Sequence, residues 1–236
     1  MKFAYLIEPP FNDVDASRTV IGCDVELARH VCRQLGAELF NPIQAEFSEL
    51  LPGLAAQNWR MTTGLFATVE RQKQALFTRP IWALPDGLLV ASGNPLGIFG
   101  YGSIAQNPNA KLAVIRDQFQ HRSAAEFGIP SDRIEIFDVY ADAATAVATG
   151  KADAYASVAR AHDGFVGLNP ALKLETVIAP EVEKPPAFGS FAVGLSDQML
   201  LADINLILDA YIGSAPHRDM MGRYGFTPTE VDRLLV

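Results

Sequence analysis

Two breaks in composition constrain this 236-residue chain more than any single motif. Residues 91–110 (ASGNPLGIFGYGSIAQNPNA) carry no charged side chain and much Gly, Asn and Pro. Residues 180–189 concentrate Pro and charge. Between them lies an alternating pattern of its own. It reads as strand 111–115, helix 122–127, strand 133–137, helix 141–149, strand 154–156, helix 158–165 and strand 172–179. Ahead of the first break the pattern predicts strand 2–7, helix 20–35, strand 37–40, helix 48–57 and strand 60–63, with a further strand at 88–91. After the second come a strand at 190–194 and helices at 197–214 and 217–224. Rounds of strand–helix–strand are the signature of an α/β fold. The chain is expected to leave a first lobe, build a second, and return. Lobe one is then 1–84 with 185–236, and lobe two is 85–184. Two crossings make a hinge, and a hinge over a cleft is a design for closing on a ligand.

Charge narrows the partner classes. The formal net charge is -8 and the pI about 5.0. An acidic chain lacks the basic face that nucleic acid requires. No apolar run reaches the roughly 18 residues of a membrane span. Cys23 and Cys32 are the two cysteines. Nine residues of helix separate them by about 13 Å, too far for a disulfide, so they read as buried small hydrophobes. The four histidines, His30, His121, His162 and His217, are scattered without metal-ligand spacing, and no metal or cofactor is expected. Met1 is followed at once by the strand-like KFAYLI. That fits either a cytosolic chain or one whose targeting segment has been removed.

The most informative short stretch is 62–77, TTGLFATVERQKQALF. It reads as a strand end, a turn and the first turn of a helix. Thr68 is a fitting N-cap, since its hydroxyl can accept an orphan backbone N–H. Arg71 then falls in the first turn, where the helix dipole disfavours a cation. An arginine there is either a solvated surface residue or the partner of an incoming anion. Helix amides and a guanidinium fork together suit a carboxylate. Near the start of the chain, Pro9 and Pro10 stiffen the turn between Glu8 and Phe11.

Several motifs taken together resemble the type II periplasmic solute-binding proteins of the polar amino acid ABC-transporter group. They are Pro9-Pro10-Phe11, Gly22-Cys23-Asp24-Val25-Glu26-Leu27-Ala28, Pro52-Gly53-Leu54, the turn from Gly64 through Thr68 to Glu70-Arg71, and Gly150-Lys151-Ala152-Asp153-Ala154. The ending Tyr224-Gly225-Phe226 resembles the family's last helical region. The resemblance covers nearly the whole chain and is specific as a set. It implies a two-lobed type II fold, a small ligand held between the lobes, a membrane permease as partner, a periplasmic setting and a monomer without enzymatic activity. It also implies that Arg71 holds the ligand carboxylate. The family's lobe-two aspartate, which holds an α-ammonium, aligns with Val158, and the aromatic before its PPF is replaced by Glu8. An unpaired ammonium in a dry cleft is costly, so these departures argue against an ordinary α-amino acid.

A narrower resemblance is to ectoine and hydroxyectoine binders. These place a glutamate three before a phenylalanine, then an aromatic, then a phenylalanine five before the carboxylate-binding arginine. Here those are Glu8 and Phe11, Phe47, and Phe66 with Arg71. Phe47 stands where a tyrosine is expected. Ectoine is a zwitterion with a delocalised ring amidinium. Aromatic faces can surround that cation, Glu8 can accept its N–H groups, and Arg71 can grip its carboxylate. The bland alternatives are core for Phe11 and Phe66, a local cap for Glu8 and a hydrophobic staple for Phe47. Thr68 is a second carboxylate donor or simply a cap, and Trp82 either gates the cleft or packs by the hinge. In lobe two the turn 116–120 offers Gln118 and Phe119. Another solute (an opine, a betaine or a cationic amino acid) is the nearest variant. A dehydratase of cyclohexadienyl acids, with Glu8 as general acid, and a sensor domain are the more distant ones.

Overall fold

The computed structural model describes residues 1–235, which divide into two compact units. The first is Met1–Ala83 with the described residues from Phe188 onward, and the second is Leu84–Ala187. The chain thus passes from one unit to the other at 83–84 and back at 187–188.

The first unit is built on a five-stranded sheet in the order Asn41–Gln44, Lys2–Tyr5, Met61–Thr62, Ala192–Val193, Leu76–Phe77. Lys2–Tyr5 pairs in parallel with both of its neighbours, and Ala192–Val193 runs antiparallel to its own. Phe3 and Ala4 are fully buried at its centre. The second unit repeats the scheme. Its order is Ile134–Phe137, Leu112–Ile115, Ala154–Val158, Asp86–Ala91, Leu174–Ile178, three parallel strands followed by an antiparallel pairing on each side of Asp86–Ala91. Strands Leu112–Ile115 and Ala154–Val158 are buried at every position. That is expected where both sheet faces are covered.

Four elements differ from expectation, each for a local reason. The helix predicted from residue 20 begins at Cys23, and Val20–Ile21 instead pairs with Asp13–Val14. Gly22 separates them at φ 130, a conformation closed to other residues, and a Cβ there would collide with the Phe11 carbonyl. The strand predicted at 37–40 lies at Asn41–Gln44 and contains Pro42. It is an edge strand, where a missing N–H is tolerated. The single strand predicted at 190–194 is two, Ala187–Ser190 and Ala192–Val193, which belong to different sheets. The uncharged stretch 91–110 contains the helix Tyr101–Gln106. Without charges it shows no polar face in sequence, and only the burial of Tyr101 and Ile104 gives it an inward side. Cys23 and Cys32 are free and buried, as the helical spacing requires.

The second unit buries a neutral histidine. His162 is fully buried. Its Nε2 lies 3.2 Å from the Gly87 carbonyl and its Nδ1 2.6 Å from the Tyr140 hydroxyl. A carbonyl only accepts, so Nε2 carries the proton and Nδ1 accepts from Tyr140. Burial holds the imidazolium down to about pKa 3. His217 in the first unit is likewise lowered to about 4 by burial. An unfolded histidine protonates near 6.5. Below that pH the unfolded chain binds protons the native one refuses, so stability falls as pH drops from about 6.5 toward each folded value. Thermal unfolding of H162Q, followed from pH 7 to pH 4, is expected to show a shallower loss than wild type. The difference is up to about 1.4 kcal/mol per pH unit, one proton's worth. Parallel curves would show that His162 is not held neutral.

Candidate functional site

Arg71 sits at the end of a short, tightly specified path. Strand Leu65–Phe66 pairs antiparallel with Ser190 and Gly189. Thr68 then caps helix Val69–Gln72, its hydroxyl accepting the Arg71 backbone N–H at 3.3 Å. Arg71 is the buried residue of that helix, 9% exposed. A buried guanidinium must have its donors met. Nη1 donates to the Phe66 carbonyl at 3.0 Å, and Cζ lies over the Phe47 ring, 5.0 Å from its centroid. Thr68, Phe66, Phe47 and Arg71 are therefore brought together. Thr68 performs the capping role read from its position, and its hydroxyl proton can still be donated.

Behind this turn lies a buried carboxylate. Asp24, in the first turn of helix Cys23–Gln34, is 2% exposed. Its Oδ2 accepts from the Thr63 hydroxyl at 2.6 Å and the Gly64 amide at 2.7 Å. Its Oδ1 accepts from the Trp82 indole at 3.2 Å and from the Cys23 thiol at 3.7 Å. Burial raises the Asp24 carboxyl above the ordinary range, and these donors oppose the rise. Asn12 donates to Thr63 Oγ1 at 2.7 Å, which ties the Glu8–Phe11 turn to the same cluster. Thr62 is spent within the sheet, donating to the Thr63 carbonyl and accepting from the Ala192 amide.

Trp82 joins the aromatic candidates. Its ring lies 5.3 Å from Phe11 and 5.4 Å from Phe66, the latter edge to face. Phe11 also meets Phe226 at 6.0 Å. Phe11 and Phe66 are 3% and 8% exposed, so both are packed side chains. Trp82, at 6% exposure, is a packing residue of the first unit. Glu8 is half-buried, and its backbone N–H and carbonyl close the turn onto Asn12 and Phe11. A groove of about 410 Å³ elsewhere in this unit, lined by His30, Gln34, Leu206, Ile207, Ala210 and Tyr211, includes none of the candidate residues.

In the second unit, Gln118 is the N-cap residue of helix Phe119–Glu126. It is buried, and its Oε1 is an acceptor without a hydrogen-bond partner among the described residues. Phe119 lies under the Lys184 ammonium, 4.2 Å from ring centroid to Nζ. Lys184 belongs to a buried polar cluster that sequence reading missed. Its Nζ pairs with Asp86 at 2.7 Å and contacts the Ser123 hydroxyl. Asp86 also accepts from Tyr101 at 2.7 Å and from Gln120 at 2.8 Å. Burial first, and Asp86 second, push the Tyr101 phenol well above its usual value. Nothing in the sequence links positions 86 and 184. Each lies beside a crossing between units, and that placement was the only available signal. Val158 is buried, and the helix it caps, Ala159–Leu168, has no acidic residue in its first turn. Among the described residues no group of His, Cys, Asp and Glu could hold a metal ion, and no helix is long and apolar enough to cross a membrane.

The Trp82 slot is testable. A Cβ at Gly189 would stand 2.1 Å from Cη2 of the Trp82 ring, and one at Gly64 2.7 Å from its Nε1. Overpacking of this kind costs about 1–3 kcal/mol. G189A is expected to lower the melting temperature and to shift tryptophan emission by displacing Trp82. A variant with unchanged stability and emission would show that the indole is not held there.

The sequence profile of the bacterial extracellular solute-binding proteins, family 3, matches residues 2–224. A probable amino-acid ABC transporter periplasmic-binding protein of Sinorhizobium fredii (strain NBRC 101917 / NGR234) is 28% identical over 95% of this chain and 76% of its own. The ABC transporter arginine-binding protein 1 of Escherichia coli (strain K12) is 25% identical over 86% of this chain and 80% of its own. Among solved structures, EhuB in complex with hydroxyectoine superposes with a TM-score of 0.89 at 26% identity, covering 99% of this chain and 90% of that one. An ancestral arginine-binding protein bound to glutamine gives a TM-score of 0.84 at 19% identity, over 94% of this chain and 96% of that one, a likeness of fold alone. The fold is the periplasmic-binding-protein type II fold, mixed α/β with two sheets.

Proposed function

The chain belongs to the bacterial extracellular solute-binding proteins of family 3 and is the solute-binding component of an amino-acid-type ABC importer; within that role we propose that its ligand is a small organic zwitterion, with ectoine or 5-hydroxyectoine the best fit. The observation that carries this reading is the buried Arg71. Its Nη1 donates to the Phe66 carbonyl and its Cζ lies over the Phe47 ring. A guanidinium presents a fork that matches a carboxylate in two parallel hydrogen bonds.

The cationic end of the ligand is read from its chemistry and from the family resemblance. Val158 offers no carboxylate for an α-ammonium, and the nearby helix start is without acid. The buried Asp86 is already committed to Lys184, Tyr101 and Gln120. A delocalised amidinium is more weakly hydrated than an ammonium, and aromatic faces can replace its water. Phe11 and Phe66 supply such faces in the first unit, and Phe119 in the second. Glu8 and the Gln118 Oε1 supply acceptors for its N–H groups. The likeness to EhuB, described with hydroxyectoine, supports the same chemistry. The importer's permease is the proposed protein partner, and the periplasm the proposed compartment, following the relatives.

A cationic amino acid is the second reading, favoured by the relative named as an arginine-binding protein. Isothermal titration with ectoine, 5-hydroxyectoine, glycine betaine, arginine and octopine separates the two. Ectoine or hydroxyectoine is expected to bind in the low micromolar range or tighter. Glycine betaine, which has no N–H, is expected to bind more weakly. R71A is expected to cost about 2–5 kcal/mol of binding free energy. Binding of arginine alone would overturn the ectoine assignment and leave the carboxylate site standing. An unchanged dissociation constant in R71A would remove Arg71 from the site.

A further inference from the structure

We propose that Trp82 is a positioning residue for the cationic end of the ligand: its indole sets where Phe11 and Phe66 present their rings, and so which cations the site prefers. This rests on the aromatic-face reading of Phe11 and Phe66 above, and it adds a residue that acts through those two rings.

The indole crosses a strand to reach Phe66. Strands Leu65–Phe66, Ala187–Ser190 and Trp82–Leu84 form a three-stranded sheet in that order. Phe66 and Trp82 therefore stand on the two outer strands, and next-nearest strands lie about 10 Å apart. The residue between them is Gly189. It pairs directly with Phe66, and its carbonyl accepts the Ile81 amide at 2.8 Å. A Cβ at Gly189 would strike the six-membered ring of the indole, so the missing side chain leaves the space that the ring fills. Across that space Trp82 meets Phe66 edge to face, with 5.4 Å between ring centroids.

The other end of the indole is fixed by a hydrogen bond. Nε1 donates to Asp24 Oδ1 at 3.2 Å, beside Gly64, where a Cβ would stand 2.7 Å from the same nitrogen. A polar anchor at one end and a bare strand at the other hold a large flat ring in place. Phe11, from a different segment of the chain, packs on the same indole at 5.3 Å. One rigid side chain thus supports both aromatic candidates of the first unit. Trp82 is 6% exposed, so it offers little surface of its own to a solute. The attraction of a cation to an aromatic face depends on its distance from the ring. Where the two rings stand therefore favours some cations over others, and specificity is that difference of affinities.

The test separates positioning from packing. Isothermal titration of W82F with ectoine, 5-hydroxyectoine, glycine betaine, arginine and octopine gives the spread of dissociation constants. A variant weakened only by lost stability loses every solute by one common factor, because unfolding removes binding-competent protein alike for all. W82F is expected instead to weaken the best-bound solute by about 3- to 30-fold and the others by less, so that the spread narrows. Uniform weakening, or an unchanged set of constants, would overturn the proposal. W82F/G189A refills part of the slot with a methyl group. It is expected to recover melting temperature lost in W82F without restoring the spread. Recovery of both together would show that Trp82 contributes packing alone. A second readout leaves Trp82 in place. The chain has two tryptophans, and the other, Trp59, donates its Nε1 to the Leu50 carbonyl. In W59F, saturation with the solute the wild type binds is expected to shift the emission of Trp82, since the rings it touches take up the ligand. Unmoved emission would overturn the proposal whether or not W82F folds. Wild-type protein that binds none of the five solutes would instead defeat the zwitterion reading itself, and the role of Trp82 with it.

Discussion

The Asp24 carboxylate is the interaction on which the polar and aromatic cluster of the first unit depends. It is almost fully buried, and an isolated carboxylate there would be prohibitive. Four donors from three separate parts of the chain converge on its two oxygens: Cys23, Thr63, Gly64 and Trp82. Each donor fixes something else. Thr63 passes the restraint to Asn12 and so to the Glu8–Phe11 turn. Gly64 sets where the chain leaves its strand toward Phe66. Trp82 stands between Phe11 and Phe66. The Phe66 carbonyl then holds Arg71. Arg71 is therefore placed through a chain of fixed groups that begins at a buried acid far from it in sequence.

The second unit solves a similar problem with a charge pair. Asp86 and Lys184 are both buried, and the ammonium also lies over Tyr101 and Phe119. Removing one partner of such a pair leaves an uncompensated buried charge. The cluster sits where the chain enters and leaves this unit, at 86 and 184. It joins those two segments to each other and to the start of helix Phe119–Glu126, through Gln120 and Ser123. The first unit thus centres on an acid met by neutral donors, and the second on an acid met by a cation.

Much of this was legible in the sequence because it is local. Thr68 as a cap, Arg71 as a cation in a first turn, and Cys23 and Cys32 as unbridged helix residues all follow from spacing within a few residues, while the burial of Arg71 does not. Elements whose fate depends on partners elsewhere were misplaced. Pro42 reads as a strand breaker until its strand is seen at a sheet edge. The strand after the second break reads as one piece until its halves are seen in different sheets. Trp82 reads equally as gate or packing until Gly64 and Gly189 are seen on either side of it.

By itself the sequence determined the α/β class, the alternating pattern within each unit, and the family through motifs that each occupy a few consecutive residues. It also placed Arg71 in the first turn of a helix, because capping is decided by the residue at one position and its near neighbours. Only the tertiary structure decided what those residues touch. The Asp24 donors, the Lys184–Asp86 pair and the Phe47 ring under Arg71 join positions separated by tens of residues. Hydrogen bonds and ring contacts depend on distance in space, and a linear pattern carries no record of that distance once the chain has turned.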